Sequence, residues 1–281
     1  MTLTPNQEAA LIALVREVAK AEIMPRFRSL PENDVSSKSA PDDLVTIADI
    51  RSEAAITEGV RALLPSAVVI GEEAVAKDAK VLDSLADAEL AVIVDPVDGT
   101  WNFAKGLATF GVILAVIQNG RTVFGLLYDP VMDDWIWARD GGGTWYQRPG
   151  AEPVQLKIGG DVPLETTTGF VPLFLFPTET RTKLAGAIPG YRRIWSVRCS
   201  CHEYRLMTQG QSDFCVGVAP LNPWDHAAGV LAVLEAGGAA GLLDGRDYSP
   251  VRTDGYLVTA RSAHVLDQIR DTFGPLILRK N

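Results

Sequence analysis

Cysteine is scarce in this chain, and its scarcity argues against a fold held together by disulfide bonds. The 281 residues include three cysteines, Cys199, Cys201 and Cys215. A small and odd number fits a reducing compartment, so we expect a cytoplasmic protein. The run Cys199-Ser200-Cys201-His202 contains zinc-binding residue types, but a structural zinc site needs four ligands and the sequence offers no second cluster. We therefore do not predict a zinc site.

Excess positive charge and long apolar runs are absent as well. The formal net charge is −9 and the isoelectric point is about 4.9, so the overall field repels nucleic-acid phosphates and we expect no nucleic-acid partner. No stretch resembles a transmembrane helix, and the first residues lack the pattern of a signal peptide, so we expect no membrane partner. An acidic protein that acts on an anionic substrate needs local positive charge, which bound metal ions can supply.

What the sequence does contain is a regular alternation of apolar patterns. They predict helices over residues 5–28 and 47–64, a polar loop over 31–42, and buried strands over 67–70 and 90–95. Further along, Asn119-Gly120 separates two apolar runs, which is a strong hairpin signal. We expect residues 66–147 to form an antiparallel meander that packs on the two helices.

A turn-rich stretch, residues 148–163, follows the meander and is the candidate domain junction. Beyond it, strand and helix patterns alternate up to the end of the chain, which predicts an α/β second domain. The expected division is an α+β domain over residues 1–147 and an α/β domain over 148–281.

Acidic residues stand at the ends of several predicted elements. Asp95 ends a strand, Asp98 lies in the turn beyond it, and Glu72 follows the preceding strand. Asp225 and Asp49 each lie in the first turn of a helix. Each of them alone has an ordinary explanation as a turn residue or as a charge that the helix dipole favours.

Taken together, these carboxylates form a set of hard oxygen donors, which is what Mg²⁺ prefers. Asp95 and Asp98 can bridge two ions, and ions about 3.5–4 Å apart clamp the attacking and leaving oxygens of a phosphoryl transfer. Divalent cations would also relieve the repulsion between the two carboxylates. The backbone amides that follow, at Gly99 and Thr100, are placed to hold phosphate oxygens.

Three short motifs resemble the signatures of the inositol monophosphatase family, a group of Mg²⁺-dependent, lithium-sensitive phosphatases. They are GEE at 71–73, DPVDGTWNF at 95–103 and WDHAAG at 224–229. Two further stretches, DLVTIAD at 43–49 and VLEAGG at 233–238, also match the family pattern, so the resemblance spans roughly residues 38–245. It implies a layered αβαβα sandwich, a fold of the α+β or α/β class, and a homodimer.

The resemblance also implies a set of metal ligands. Glu72, Asp95 and the backbone carbonyl of Val97 would hold one Mg²⁺. Asp95, Asp98 and Asp225 would hold a second, and Glu72 would also help to bind a weaker third ion. Two ions per site, or three, are therefore expected.

The same resemblance implies which residues act on the substrate. Thr100 and Asp49 would orient and deprotonate the attacking water, with Glu72 as a further catalytic residue. Asp98, Gly99 and Thr100 would bind the phosphate group. The substrate would be a small phosphate ester, hydrolysed by a water that the metal activates.

The sequence departs from inositol-specific members in the region that would bind the leaving group. Those members carry a glutamate shortly before the Trp-Asp pair, whereas the matching positions here are Gly217 and Val218, which accept no side-chain hydrogen bond. The candidate pocket residues are Arg198, Glu203 and Asn222, with Glu203 placed to pair with a cation and Arg198 with an anion.

Several functions therefore stay open. Inositol phosphate, histidinol phosphate, a sugar phosphate and a nucleotide bisphosphate are the candidate substrates. A protein that binds a phosphorylated ligand through metal ions without hydrolysing it is the non-enzymatic alternative. A purely structural role leaves the convergent carboxylates unexplained.

Overall fold

The computed structural model describes residues 3–38 and 40–278, apart from the side chain of Glu32. The helices are α1 (Pro5–Val18), α2 (Ile47–Leu63), α3 (Glu72–Lys77), α4 (Lys80–Asp87), α5 (Thr100–Ala104), α6 (Thr178–Ala187), α7 (Ser200–Thr208), α8 (Pro223–Glu235) and α9 (Ala263–Ile277). The strands are β1 (Val35–Ser37), β2 (Leu44–Thr46), β3 (Val68–Gly71), β4 (Leu90–Asp98), β5 (Gly111–Gln118), β6 (Arg121–Asp129), β7 (Asp134–Arg139), β8 (Gly143–Gln147), β9 (Val154–Leu156), β10 (Thr168–Phe170), β11 (Arg193–Trp195), β12 (Phe214–Val218), β13 (Ala239–Leu242) and β14 (Tyr256–Ala260).

The N-terminal region is less uniform than its apolar pattern predicts. The expected helix over 5–28 is α1 followed by a π-helical turn, Ala19–Ile23, and a 3₁₀ turn, Met24–Arg26, where Pro25 cannot donate a backbone hydrogen bond. The expected loop over 31–42 contains β1, which pairs with β2 in an antiparallel ribbon. Polar β1 lacks the apolar alternation that signals a strand, so the sequence did not predict it.

The first sheet has seven strands in the described residues, in the order β3-β4-β5-β6-β7-β8-β9. Its strands are antiparallel from β4 onward, as the meander predicts, but β3 runs parallel to β4. The parallel pairing is possible because α3 and α4 lie between these strands, and neither short helix was predicted. Strand β9 continues this sheet to Leu156, inside the predicted junction; the boundary after residue 147 stays a prediction.

Alternating side chains of β4 enter two different hydrophobic cores. Val92 and Val94 pack with α1 and α2 on one face of the sheet. Ala91 and Ile93 pack on the other face with residues of α7 and α8. Because both faces are covered, the strand reads as a continuous apolar run rather than as an alternating one.

The second sheet has the order β11-β10-β12-β14-β13 and mixes parallel and antiparallel pairs. One face shares the core with α7 and α8, and the other packs on α6 and α9. The successive layers are therefore helices, sheet, helices, sheet and helices, which confirms the expected αβαβα sandwich. No helix in the described ranges has the length and apolar character needed to cross a membrane.

Candidate active site

An irregularity at the end of β4 brings two carboxylates to one side of the strand. Residues three apart on a regular strand point to opposite faces. Asp95 pairs with Ile113 and Asp98 pairs with Gly111, so β4 contains one more residue than β5 between these two pairs. This bulge lets Asp95 and Asp98 approach the same point from buried positions, at 2% and 6% exposure.

A third carboxylate reaches the same point from the second half of the chain. Asp225 lies in the first turn of α8, where the amide of Asn222 donates to its Oδ2 at 3.0 Å. One carboxylate oxygen from each of Asp95, Asp98 and Asp225 lies within 4.8 Å of the others. The structure therefore assembles three of the predicted metal ligands.

The electrostatics of this cluster call for a cation. Burial raises the pKa of Asp95, and the neighbouring Glu72, Asp98 and Asp225 raise it further. Burial also raises the pKa of Asp225, and it raises that of Asp98 to about 6. Within the described ranges, no Lys or Arg forms an ion pair with any of the three clustered aspartates. Three oxygen donors without an ion-pair partner, two of them buried and that of Asp225 half-buried, fit Mg²⁺, because a hard divalent cation offsets both the burial and the mutual repulsion.

Asp49 and Thr100 form a hydrogen-bonded pair beside the cluster. Thr100 Oγ1 lies 3.1 Å from Asp49 Oδ1 and 3.0 Å from the carbonyl oxygen of Val97. The other oxygen of Asp49 accepts from the backbone amide and the hydroxyl of Thr46, the residue that caps α2. Asp49 is fully buried, and this burial raises its pKa to about 7. The pair is thus fixed in orientation by a helix cap.

Glu72 lies at the start of α3 and is held by a lysine. Lys38 Nζ contacts Oε1 of Glu72 at 2.7 Å and Oε1 of Glu73 at 2.6 Å. The carboxylate of Glu53, on α2, accepts from the backbone amides of Glu73 and Ala74 and so fixes the start of α3. Glu72 is not part of the three-aspartate cluster, so its role as a ligand stays a prediction.

Asp98 is also tied to the second half of the chain through α7. Its Oδ2 accepts from the thiol of Cys199 at 3.0 Å and from the backbone amide of Cys201. Cys199, Cys201 and Cys215 are all free and buried. No local pattern predicts that a thiol orients a carboxylate of the site, because Cys199 and Asp98 are far apart in the chain.

Next to the cluster, a cavity of about 600 Å³ is lined by all three predicted pocket residues, Arg198, Glu203 and Asn222. The guanidinium of Arg198 stacks between the rings of Trp101 and Phe174, at 4.5 and 4.8 Å from their centroids. It also pairs with Asp42 at 3.2 Å, at the edge of the cavity. Arg198 is the single lysine or arginine among the described residues that line this cavity.

Glu203 forms part of the cavity wall and is held by its neighbours. Its Oε1 accepts from the hydroxyl of Ser196 and from the backbone amide of Val197, both at 2.9 Å. The thiol of Cys215 approaches its other oxygen at 3.6 Å. Burial raises the pKa of Glu203 to about 7, so this group is only partly ionised near neutral pH.

A histidine that sequence reasoning did not single out lines the same cavity. His226 follows Asp225 on α8 and is 8% exposed. Its Nδ1 lies 3.0 Å from the hydroxyl of Tyr204. Burial lowers the pKa of His226 to about 4, so the ring is neutral at physiological pH. The residue stands inside the WDHAAG motif, but nothing local in the sequence shows which way it points.

Comparisons with known proteins identify the family. The sequence model of the inositol monophosphatase family matches residues 6–271. The chain is 27% identical over 222 residues to the fructose-1,6-bisphosphatase/inositol-1-monophosphatase of Thermotoga maritima, covering 76% of this chain and 77% of that protein. It is 29% identical over 275 residues to the Nus factor SuhB of Escherichia coli K12, covering 92% and 96% of the two chains.

A solved structure shows the same fold. The inositol monophosphatase of Thermotoga maritima superposes with a TM-score of 0.78 at 23% identity, covering 95% of this chain and 96% of that one. Sequence and fold together place the chain in the superfamily of metal-dependent phosphatases. The chain belongs to the inositol monophosphatase family, whose members depend on Mg²⁺, and the acidic cluster is able to hold a metal ion.

Proposed function

We propose that this protein is a Mg²⁺-dependent phosphomonoesterase that hydrolyses a small phosphorylated metabolite. The observation that carries the proposal is the convergence of Asp95, Asp98 and Asp225 beside the hydrogen-bonded pair of Thr100 and Asp49. The first set provides the ligands of a hard metal and the second provides a proton acceptor. A site that only bound a phosphorylated ligand would have no need of the second set.

The metal ligands would be Asp95, Asp98 and Asp225, with Glu72 and the carbonyl of Val97 as the further members of the set. Bound Mg²⁺ would neutralise the phosphate charge and lower the pKa of the attacking water. The number of ions, two or three, is part of the proposal.

The chain's own residues would handle the proton and the phosphate. Thr100 Oγ1 can accept a hydrogen bond from the attacking water while it donates to Asp49. Gly99 adopts φ 84°, and a Cβ there would lie 3.0 Å from the carbonyl oxygen of Thr109, so a larger residue would disturb the turn. That turn carries the amides of Gly99 and Thr100, which would bind the phosphate together with Asp98.

We further propose that the leaving group lies in the cavity lined by Arg198, Glu203 and Asn222. Arg198, as the one lysine or arginine among the described residues of its lining, would pair with an anionic group remote from the scissile phosphate. Inositol 1-phosphate would then be a poor substrate relative to a charged phosphometabolite, because no acid at Gly217 or Val218 accepts from its hydroxyls. Histidinol phosphate, sugar phosphates and nucleotide bisphosphates remain the alternatives.

The test is phosphate release from a panel of esters, with Mg²⁺ and with EDTA. The panel contains p-nitrophenyl phosphate as a generic ester, inositol 1-phosphate, histidinol phosphate, fructose 1,6-bisphosphate and adenosine 2′-monophosphate. We expect Mg²⁺-dependent turnover that EDTA abolishes and that the Asp95→Asn variant lacks. Because one relative is named a Nus factor, turnover itself has to be shown. Hydrolysis of none of these esters would refute the phosphatase proposal.

A homodimer is also proposed, on the family resemblance alone. Light scattering of the eluting peak in size-exclusion chromatography distinguishes about 30 kDa from twice that mass.

A further inference from the structure

We propose that His226 is a specificity-determining residue, whose Nε2–H donates a hydrogen bond to an acceptor oxygen on the leaving group. The inference rests on the proposed phosphatase function and deepens it by naming the leaving-group chemistry. The favoured substrates are phosphate esters whose leaving group carries an acceptor oxygen within reach of His226, and esters with a hydrocarbon leaving group are disfavoured.

The imidazole has a dedicated place in the wall of the cavity. It packs against Gly217 on β12, where a Cβ would lie 2.9 Å from His226 Cε1 and 3.0 Å from Nε2. A distance of 2.9 Å is shorter than ordinary Cβ contacts, so a larger residue at position 217 would force the ring to shift. Gly217 is also one of the two positions at which inositol-specific relatives were expected to carry an acid. The strand thus lacks the polar group, and α8 supplies one in its place.

The partner of the histidine is fixed in the same manner. Tyr204, on α7, is 1% exposed, and its ring packs on Gly229 of α8, where a Cβ would lie 2.1 Å from Tyr204 Cδ2. The planes of the tyrosine and histidine rings meet at 83°. Two glycines, Gly217 and Gly229, therefore hold the pair of rings in one arrangement.

The hydrogen bond between the two rings decides which histidine nitrogen carries the proton. The Tyr204 hydroxyl contacts His226 Nδ1 at 3.0 Å, and no other hydrogen-bond partner of this hydroxyl occurs among the described residues. If Nδ1 were the donor, the buried phenolic proton would have no acceptor, and an unsatisfied buried donor is costly. Tyr204 therefore donates to Nδ1, and the proton of the neutral ring lies on Nε2.

The second ring nitrogen of His226, Nε2, is available to a ligand in the cavity. In the part of the chain that the structure describes, Nε2 makes no hydrogen bond to protein. It is also not a buried atom, so solvent or a ligand can reach it. His226 lines the cavity together with Asp225 and Gly217. An oriented N–H donor beside the metal cluster selects a leaving group with an acceptor oxygen, because the analogue without that oxygen leaves the donor unpaired.

Two esters that differ only in their oxygens test the inference. Glycerol 2-phosphate and isopropyl phosphate have the same branching, but the first carries two hydroxyls that the second lacks. We expect wild-type kcat/KM to favour glycerol 2-phosphate by about tenfold or more. The variant H226F in a Tyr204→Phe background removes both polar groups together, so it leaves no unpaired hydroxyl. It should lower the rate for glycerol 2-phosphate and reduce the wild-type preference by about tenfold; any preference that is left reflects the greater acidity of the glycerol leaving group.

The control is His264→Phe, the same substitution at an exposed position of α9, which should leave the preference unchanged. Circular dichroism and the melting temperature show whether each variant is folded. If isopropyl phosphate is hydrolysed as well as glycerol 2-phosphate by the wild type, or if the double variant lowers both rates equally, the inference is overturned.

A second measurement is independent of turnover. The chain has three histidines, so the ¹⁵N resonances of His226 can be assigned by their absence from His226→Phe. We expect a protonated Nε2 and an unprotonated Nδ1, and a mixture of tautomers in Tyr204→Phe. Glycerol 2-phosphate with Mg²⁺ should shift the Nε2 resonance, and isopropyl phosphate should not. If neither ester is hydrolysed, nor any other, the phosphatase proposal fails. This NMR titration still decides the subsite, because equal or absent shifts refute it.

Discussion

Two groups of residues in the candidate active site satisfy their polar groups in different ways. The acid wall consists of Asp49, Asp95, Asp98 and Asp225, of which Asp98 and Asp225 line the cavity. Its carboxylates crowd one another, and burial raises the pKa of each. The leaving-group wall, Ser196–Glu203 with Gly217 and His226, pairs most of its polar atoms internally. Glu203 is bonded to Ser196 and Val197, and His226 to Tyr204.

This difference separates chemistry from specificity. A wall of unneutralised charge is costly for the folded protein and is retained where a cation completes it. A wall that satisfies itself leaves few atoms free to contact a ligand. Among the described residues, Nε2 of His226 is such an atom, and the guanidinium of Arg198 is available in part, because it also pairs with Asp42. Mutations of the acid wall should therefore abolish turnover of every ester, whereas mutations of the other wall should change which ester is preferred.

The largest effect is expected for Asp95, which the bulge of β4 places in the cluster. Asp95→Asn should lower kcat/KM by about 1,000-fold or more for all esters, equivalent to about 4 kcal/mol of barrier. The metal-free variant should be at least as stable as the wild type, because one of the mutually repelling buried carboxylates is gone.

Steady-state kinetics and thermal melting in EDTA measure the two quantities. Asp83→Asn, at an exposed position of α4, is the matched control and should change neither. A variant of Asp95 that keeps more than about a tenth of wild-type activity would show that the cluster is not the catalytic metal site.

The next effect concerns the hydroxyl between Asp49 and Val97. Thr100→Ala should lower kcat by about 100-fold, since it removes the group that relays the proton of the attacking water. The Mg²⁺ concentration for half-maximal activity should stay nearly constant, because the metal ligands are untouched. Thr100→Ser retains the hydroxyl and should recover most of the rate. An alanine variant within about twofold of the wild type would contradict the water-activating role.

How much of each wall can be predicted from the sequence depends on how far apart in the chain its interacting residues lie. Most of the elements of the acid wall were predicted: α2 starts at Ile47 as expected, and the buried strand that was expected to end at Asp95 continues to Asp98, with a bulge between the two aspartates. Strand ends and helix starts are local features, and hard acids at such points suggest a metal without any tertiary information.

The leaving-group wall depends on contacts that no local pattern encodes. His226 needs Tyr204 from another helix and Gly217 from a strand, and Cys199 finds Asp98 across about a hundred residues. Sequence reasoning identified Arg198 and Glu203 as polar residues in the right region. It could not show that Glu203 is bonded into the wall while Arg198 stacks on two rings, because packing decides this.

A smaller effect is expected for the pH dependence of the stability of the metal-free protein. Folding raises the pKa of Asp98 to about 6 and that of Asp49 to about 7. Carboxyls with raised pKa values stabilise the fold below their unfolded pKa of about 4, and this stability is lost as the pH rises through about 6 to 7.

In EDTA the melting temperature should therefore fall between pH about 5 and pH about 8. Mg²⁺ should restore it at the higher pH by about 2–4 °C for each kcal/mol of binding, and much less at the lower pH, where protons compete for the same oxygens. Differential scanning fluorimetry measures the melting temperature at both pH values, in EDTA and in Mg²⁺. An equal Mg²⁺ shift at both pH values would contradict binding at the buried carboxylates.

The smallest effect is expected for Arg198, because its ion pair with Asp42 is partly exposed and screened by solvent. 6-Phosphogluconate and glucitol 6-phosphate differ only at the distal carbon, a carboxylate in one and a hydroxymethyl group in the other. Wild-type kcat/KM should favour the carboxylate by about threefold to tenfold, and less at high salt. Arg198→Gln should remove this preference, and Asp42→Asn should increase it, since Asp42 competes with the substrate for the guanidinium.

Arg193→Gln is the control, because Arg193 also stacks on a tryptophan, Trp195, but does not line the cavity. If Arg198→Gln still prefers 6-phosphogluconate, Arg198 does not recognise the charge of the substrate. Neutral hydrogen-bond donors such as His226 would then determine the specificity of the leaving-group wall.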